Sequence, residues 1–230
     1  SEIMLGELGQ RDYEIVETKE EADLLVVNTC SFIEEAREES VDTILDLAQE
    51  KTESGADKKL VVSGCLVQRY EDELKAEIPE VDLFLGTGDH WRIGEVLDKG
   101  TTSKGPQSFV GKPGYNYGSL SPRIQTTQSW TSYVKIAEGC SQRCSFCIIP
   151  RLRGGQKSRI MADVEAEVRQ LAQAGVKEIN LIAQDLSHYG HDLKNGTELS
   201  HLLERLVTID GIEWIRLLYC YPHNFTDDLI

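Results

Sequence analysis

At 230 residues with 40 % hydrophobic content, the chain is long enough to bury the core of one large domain or two modest ones. It shows no signal peptide and no apolar run long enough to span a bilayer, so it reads as a soluble cytoplasmic protein whose six cysteines suit metal binding better than disulfides. The net charge of -15 is uneven: residues 1–98 hold 26 Asp and Glu against 9 Lys and Arg, and residues 99–230 hold 13 against 15. Such a first segment repels phosphate backbones and attracts basic partners, although a merely solubilising acidic face has the same composition.

In chain order, residues 1–9 read as the latter part of an amphipathic helix closed by Gly9. Residues 13–16 alternate as a short strand, and Asp23–Asn28 is the branched apolar run of a buried parallel strand. Helical periodicity follows over 33–50, with Ala36, Val41, Ile44, Leu45 and Leu47 on the apolar side. Strands at 59–63 and 81–85 and helices at 71–78 and 90–97 complete an alternating α/β pattern over residues 1–98, expected to form a small doubly wound parallel sheet. Residues 99–131, rich in Gly, Ser, Thr and Pro, are the predicted linker. From 132 to 230 come a strand at 132–137, a helix at 162–174 stopped by Gly175, a strand at 178–183, a helix at 199–207 and a strand at 214–219. These are repeated βα units of a parallel barrel, whose chemistry belongs at the strands' carboxyl ends. Cys140, Gln184, Asp185 and Tyr221 all fall there. Three strands cannot close a barrel, so the expected architecture is a partial one.

The stretch Gly139-Cys140-Ser141-Gln142-Arg143-Cys144-Ser145-Phe146-Cys147 carries the chemistry. Three thiols spaced by three and then two residues can converge on one iron–sulfur cluster while leaving one iron without a protein ligand. The alternatives are a zinc knuckle short of its fourth ligand, with no histidine nearby to complete it, or buried inert thiols. Cys30 and Cys65 each follow a strand of the first domain, in matching turns that line the ligand crevice of an open α/β sheet. Each alone reads as a small buried hydrophobe; together they read as a ligand pair, short of the number a cubane requires.

The CxxxCxxC spacing, the aromatic before its last cysteine and its position after the first strand of a βα series resemble the radical S-adenosylmethionine enzymes. The resemblance implies that Cys140, Cys144 and Cys147 hold a 4Fe-4S cluster, that S-adenosyl-L-methionine binds its open iron, and that Phe146 lies near the adenine. Together with Val27-Asn28-Thr29-Cys30 and Ser63-Gly64-Cys65, the motif resembles the methylthiotransferases of that superfamily. Residues 30–36, 150–154, Gln184-Asp185 and 218–222 are similar to the RimO branch, which modifies an aspartate of small ribosomal subunit protein twelve. The branch implies a transferase with two 4Fe-4S clusters, the auxiliary one on Cys30 and Cys65, and methylthio insertion at the aspartate β-carbon. It also implies an electron donor, no membrane contact, and nucleic-acid contact only through a carboxyl-terminal TRAM module beyond these residues. A third amino-terminal cysteine of the family lies upstream of Ser1, which would leave the auxiliary cluster labile and the fragment inactive. Gln184 is expected to contact the nucleotide or to cap its strand. Arg151, Arg153, Lys157 and Arg159 are expected to meet a carboxylate or to form a solvated basic loop. Cys220 reads as packing, and His188 and His191 as surface residues. The competing functions are a tRNA adenosine methylthiotransferase of MiaB type and a non-catalytic iron–sulfur or zinc module.

Overall fold

The computed structural model describes residues 1–55, 57–99, 105–114 and 117–230, with only the backbone of His223. Its elements are α1 (Glu2–Gly9), β1 (Leu24–Thr29), α2 (Glu34–Glu53), β2 (Lys59–Gly64), α3 (Cys65–Glu77), β3 (Leu83–Leu85), α4 (Ile93–Asp98), β4 (Gln107–Phe109), β5 (Thr131–Lys135), β6 (Ala137–Glu138), α5 (Ile149–Arg153), β7 (Lys157–Ser158), α6 (Met161–Gln173), β8 (Glu178–Ile182), α7 (Leu199–Leu206) and β9 (Trp214–Leu217). The chain divides into two units: Ser1–Tyr115 with Pro122–Ile124 and Phe146–Arg153, and Asn116–Ser121 with Gln125–Ser145 and Gly154–Ile230. Among the described residues, no helix is long and apolar enough to cross a membrane.

The first unit is a four-stranded parallel sheet in the order β1-β2-β3-β4. Successive side chains of a strand point to opposite faces, so Leu25 and Val27 meet Ile44 and Ala48 of α2 and Leu66 and Leu74 of α3. Leu24 and Val26 face the other way, into the cluster that α1 and α4 supply with Met4, Leu8, Ile93 and Val96. A sheet apolar on both sides has to be covered on both, and this one is doubly wound as its sequence requires.

The differences from expectation have local causes. Residues 13–16 form no strand, and Tyr13, Ile15 and Val16 are exposed; alternation makes a strand only where a neighbouring edge can pair with it. Leu45, expected on the buried side of α2, is half exposed at 50 %. The third helix starts at Cys65, six residues before its predicted start, with a kink at Tyr70. Apolar Cys65-Leu66-Val67 runs on from the strand without a break, so no change of period marks the boundary. The predicted linker contributes β4, paired in parallel with β3 from Gln107 to Phe109; a three-residue strand is too short to show a period. Residues 100–104 and 115–116 of that linker lie outside the described residues.

The second unit is built on a three-stranded parallel sheet in the order β5-β8-β9, with a small antiparallel pair, β6 and β7. One face buries Val134, Ile179 and Leu181 against Val164 and Val168 of α6 and Leu202 and Leu206 of α7. Each such branched side chain contributes on the order of 1.5–3 kcal/mol when removed from water. Gly175, at φ 95°, ends α6 where an L side chain would be strained. The unit also takes in residues before the predicted start at 132: the Lys135 N–H donates to the Tyr117 hydroxyl at 2.9 Å, and the Ser119 N–H and Oγ both donate to Asp163 at 2.8 Å. The result is the opening βα series of a barrel, held by one helix-covered face.

Candidate functional site

The loop that carries the three cysteines leaves the sheet through β6, whose residues Ala137 and Glu138 pair with Ser158 and Lys157. Glu138 is buried; its Oε2 lies 2.6 Å from Lys135 Nζ, and its Oε1 accepts the Gly139 N–H at 3.2 Å. The Cys140 N–H then donates to the Gly154 carbonyl at 3.1 Å, and the Gln156 N–H to Ser141 Oγ at 3.1 Å. The base of the loop is therefore fixed by backbone bonds, while its middle opens to solvent. Cys144 is exposed, Cys140 and Cys147 are half buried, and Phe146 is 87 % exposed. None of the three is in a disulfide. Cys140 and Cys144 belong to the second unit and Cys147 to the first. Among the described residues, no group of three or more His, Cys, Asp or Glu stands close enough to hold a metal ion. The donor set, three cysteines outside any disulfide within eight residues, fits a thiolate-held cluster in kind; the structure does not draw the donors together.

The carboxyl ends of β8 and β9 meet beside this loop's base within the second unit. Buried Asp185 accepts from Ser187 Oγ at 2.6 Å and from Gln142 Nε2 at 3.3 Å, and the Leu186 N–H donates to the Tyr219 carbonyl at 3.1 Å. Gln184 Oε1 is buried without a hydrogen-bond partner. Gln156, which the sequence does not single out, is buried with neither its amide oxygen nor its amide nitrogen partnered. A buried polar atom left unpaired costs about 1–3 kcal/mol, so these two amides are sites of unmet hydrogen bonding. Nothing in the pattern around Gln156 signals this, because the two-residue strand that follows it has no recognisable period. Burial, and then the charge of Asp185, pushes the Cys220 thiol up, so it is held protonated and packs against the core of the second unit.

In the first unit, Thr29 of β1 is in register with Gly64 of β2, so Cys30 and Cys65 each follow a member of a paired set. Thr29 Oγ1 donates to the Ser63 carbonyl at 2.7 Å and accepts the Leu66 N–H at 3.3 Å, locking the two strand ends together. Cys30 is exposed at the edge of a cavity of about 360 Å³ that Asn28, Glu39, Ser40 and Thr43 also line; Cys65 is buried. The hydroxyls of Ser31 and Ser63, neighbours of these strand ends, are buried without partners.

The basic residues of the following segment separate. Arg159, expected to meet a ligand carboxylate or solvent, does neither. It is buried between Asp163 at 2.7 Å and Glu167 at 2.5 Å, both on α6. His188 and His191 are in ring contact, with centroids 4.2 Å apart. Burial, and then His191, holds the His188 imidazole below its ordinary 6.5, with Asp185 and Asp192 pulling the other way. The unfolded chain thus binds more protons just below pH 6.5, and this residue's contribution makes the second unit less stable as pH falls through that value. An NMR titration is expected to give a His188 midpoint under 6.5 that rises in His191→Ala; an unchanged midpoint in the variant would remove the pair from the explanation.

Two family profiles match the chain: an uncharacterized protein family, UPF0004, over residues 1–86, and the radical SAM superfamily over residues 134–225. Across all 230 residues the chain is 52 % identical to a protein named ribosomal protein uS12 methylthiotransferase RimO from Pelobacter propionicus, and 50 % identical to its namesake from Citrifermentans bemidjiense. The chain is thus similar over its whole length to RimO methylthiotransferases, with a radical SAM superfamily match over residues 134–225. It spans 51 % of each of those two RimO proteins, about half their length. Among solved structures, it resembles TsrM, a radical S-adenosylmethionine methyltransferase from Kitasatospora setae, with a TM-score of 0.62 at 14 % identity, over 99 % of this chain and 54 % of that one. That likeness is one of fold.

Proposed function

We propose that this chain works in an enzyme that transfers a methylthio group to ribosomal protein uS12, at the β-carbon of an aspartate, using S-adenosylmethionine, an external electron donor and two iron–sulfur clusters. The observation that carries the reading is the trio Cys140, Cys144 and Cys147, on a loop anchored at the carboxyl end of a parallel sheet, in a chain about half identical throughout to proteins named for that reaction. Those three side chains would hold one 4Fe-4S cluster, and Cys30 and Cys65 would contribute to the second. When bound, the first cluster supplies the electron that splits S-adenosylmethionine, so the protein's own work is to bind, orient and exclude water. Phe146 offers an exposed ring for the adenine to stack on, and the unpaired Gln184 Oε1 can accept from an amino group. The orphan hydroxyls of Ser31 and Ser63 offer donors beside the second thiol pair. An acidic residues 1–98 favours a basic protein over a polyanionic RNA as substrate.

Anaerobic reconstitution of the whole protein is expected to give a brown product that cleaves S-adenosylmethionine under strong reductant and adds one methylthio group to uS12 by mass spectrometry. Cys144→Ala should abolish the cluster's visible absorption and its electron paramagnetic resonance signal at the open-iron site, leaving the circular dichroism spectrum intact. Zinc without iron in the reconstituted protein, or methylthiation of tRNA in place of uS12, would overturn the reading.

A further inference from the structure

Between α2 and α3, the first unit carries an open groove of about 730 Å³. Its floor is apolar: Leu66, Leu74 and Ile78 are buried there, and the half-exposed side chain of Leu45 lines one wall. Its rim is acidic on both sides, with Glu38 and Asp42 from α2 and Glu73 and Glu77 from α3. All four carboxylates are exposed, and none has a side-chain partner among the described residues. Each pair is spaced four residues apart on its helix, where like charges face one another and destabilise the helix. Glu77 ends α3, the end at which the helix dipole opposes negative charge. The arginine at the groove, Arg37, is already held by Glu34 and by the Tyr70 hydroxyl at 2.7 Å. Two unneutralised acidic rows flanking an apolar trough, one row on each helix, are complementary to a segment with an apolar stripe between Lys and Arg side chains.

We infer that this groove is a docking site for a Lys- and Arg-rich amphipathic segment of the protein substrate. The inference rests on the reading that the substrate is a ribosomal protein, a class whose surface is basic because it lies on phosphates. Apolar anchors of the segment enter the trough against Leu45, Leu66 and Leu74, and its cations neutralise the four carboxylates.

Fluorescence anisotropy with dye-labelled uS12 tests this, using the 230-residue chain at low and at physiological salt. Asp42→Lys with Glu73→Lys is expected to weaken binding at least tenfold, and Leu45→Asp to do the same at unchanged net rim sign. Charge-matched Glu14→Lys with Glu17→Lys, away from the groove, should change binding less than twofold, and salt should weaken the unaltered chain. Equal losses in the rim and control variants, absence of uS12 binding, or a chain dimer that Leu45→Asp dissolves would each overturn the proposal. Mass spectrometry of uS12 after incubation with the whole reconstituted protein reads the methylthiation separately, so a failed docking site and a failed reaction are told apart.

Discussion

Gly64→Ala is expected to destabilise the first unit by roughly 3 kcal/mol or more, a loss at the upper end for a single methyl group. Gly64 joins β2 to α3 at φ 112° and ψ -156°, a region that glycine alone occupies freely. A Cβ there would stand 2.5 Å from the Thr29 carbonyl oxygen and 3.0 Å from the Thr29 nitrogen. Both are backbone atoms of the neighbouring strand, fixed by the register that pairs Thr29 with Gly64, so no side-chain rotation can relieve the contact. The strands would have to part where Cys30 and Cys65 leave them. With Trp130 and Trp214 replaced by Phe, Trp91 reports the first unit alone, and urea unfolding followed by its fluorescence should show a lowered midpoint. In the proposed assignment of Cys30 and Cys65 to a cluster, iron held there should fall with it. An unfolding midpoint equal to that of the parent would show that the strand ends give way more easily than this geometry allows.

How far the sequence reaches is visible in these same residues. The strands Leu24–Thr29 and Lys59–Gly64 are legible because branched apolar runs that face apolar clusters on both sides of the sheet leave little else for the chain to do. The thiol triplet shows in the sequence as a spacing alone, and its donors do not stand together in the structure. Two kinds of feature are not legible. The first is pairing between distant segments, as in Gln107–Phe109, whose strand character comes from the edge of β3 and not from its own composition. The second is the destination of a charge. Arg159 reads as one of four basic residues in a loop, yet it is buried, and the carboxylates it meets are four and eight residues further along its own chain. That spacing is the i,i+4 repeat of a helix, present in the sequence but uninformative until Arg159 is placed at the helix's start. The groove between α2 and α3 is illegible for a related reason: its acidic rows are spread through a segment that is acidic everywhere, and only packing gathers four of them around an apolar floor.

Arg159→Ala should be the most damaging change in the second unit, costing about 3–5 kcal/mol, because it strands buried charge. The guanidinium Nη1 lies 2.5 Å from Glu167 Oε2 and donates to the Lys135 carbonyl at 2.9 Å; Nη2 lies 2.7 Å from Asp163 Oδ2, and the Tyr117 ring stacks 4.9 Å away. Its own carbonyl accepts from the buried Tyr189 hydroxyl at 2.7 Å. The Glu167 side chain is 7 % exposed, so deleting the arginine takes this cation from a carboxylate largely shut off from water. Arg159→Lys keeps the charge and loses the fork, and should fall between parent and alanine variant. Replacing Arg159 and Glu167 together with Met removes both charges and should recover most of the loss. Protonation gives an independent sign. Burial pushes the Asp163 carboxyl up, but hydrogen bonds from Ser119 and then Arg159 outweigh it and hold the group below its ordinary 3.8. A depressed carboxylate stabilises the fold above its unfolded value and loses that contribution as pH falls through the lower folded one. In the alanine variant this contribution shrinks. The gap between parent and Arg159→Ala, followed by urea unfolding at a series of pH values, should therefore be widest near neutrality and narrow below about pH 4. A gap that stays constant into acid would mean that lost packing of the arginine stem, not stranded charge, sets the cost. Since Arg159 follows β7 directly, and β7 pairs with the strand that leads to Cys140, a network that fails here loosens the entry to the thiol loop before it unfolds anything else.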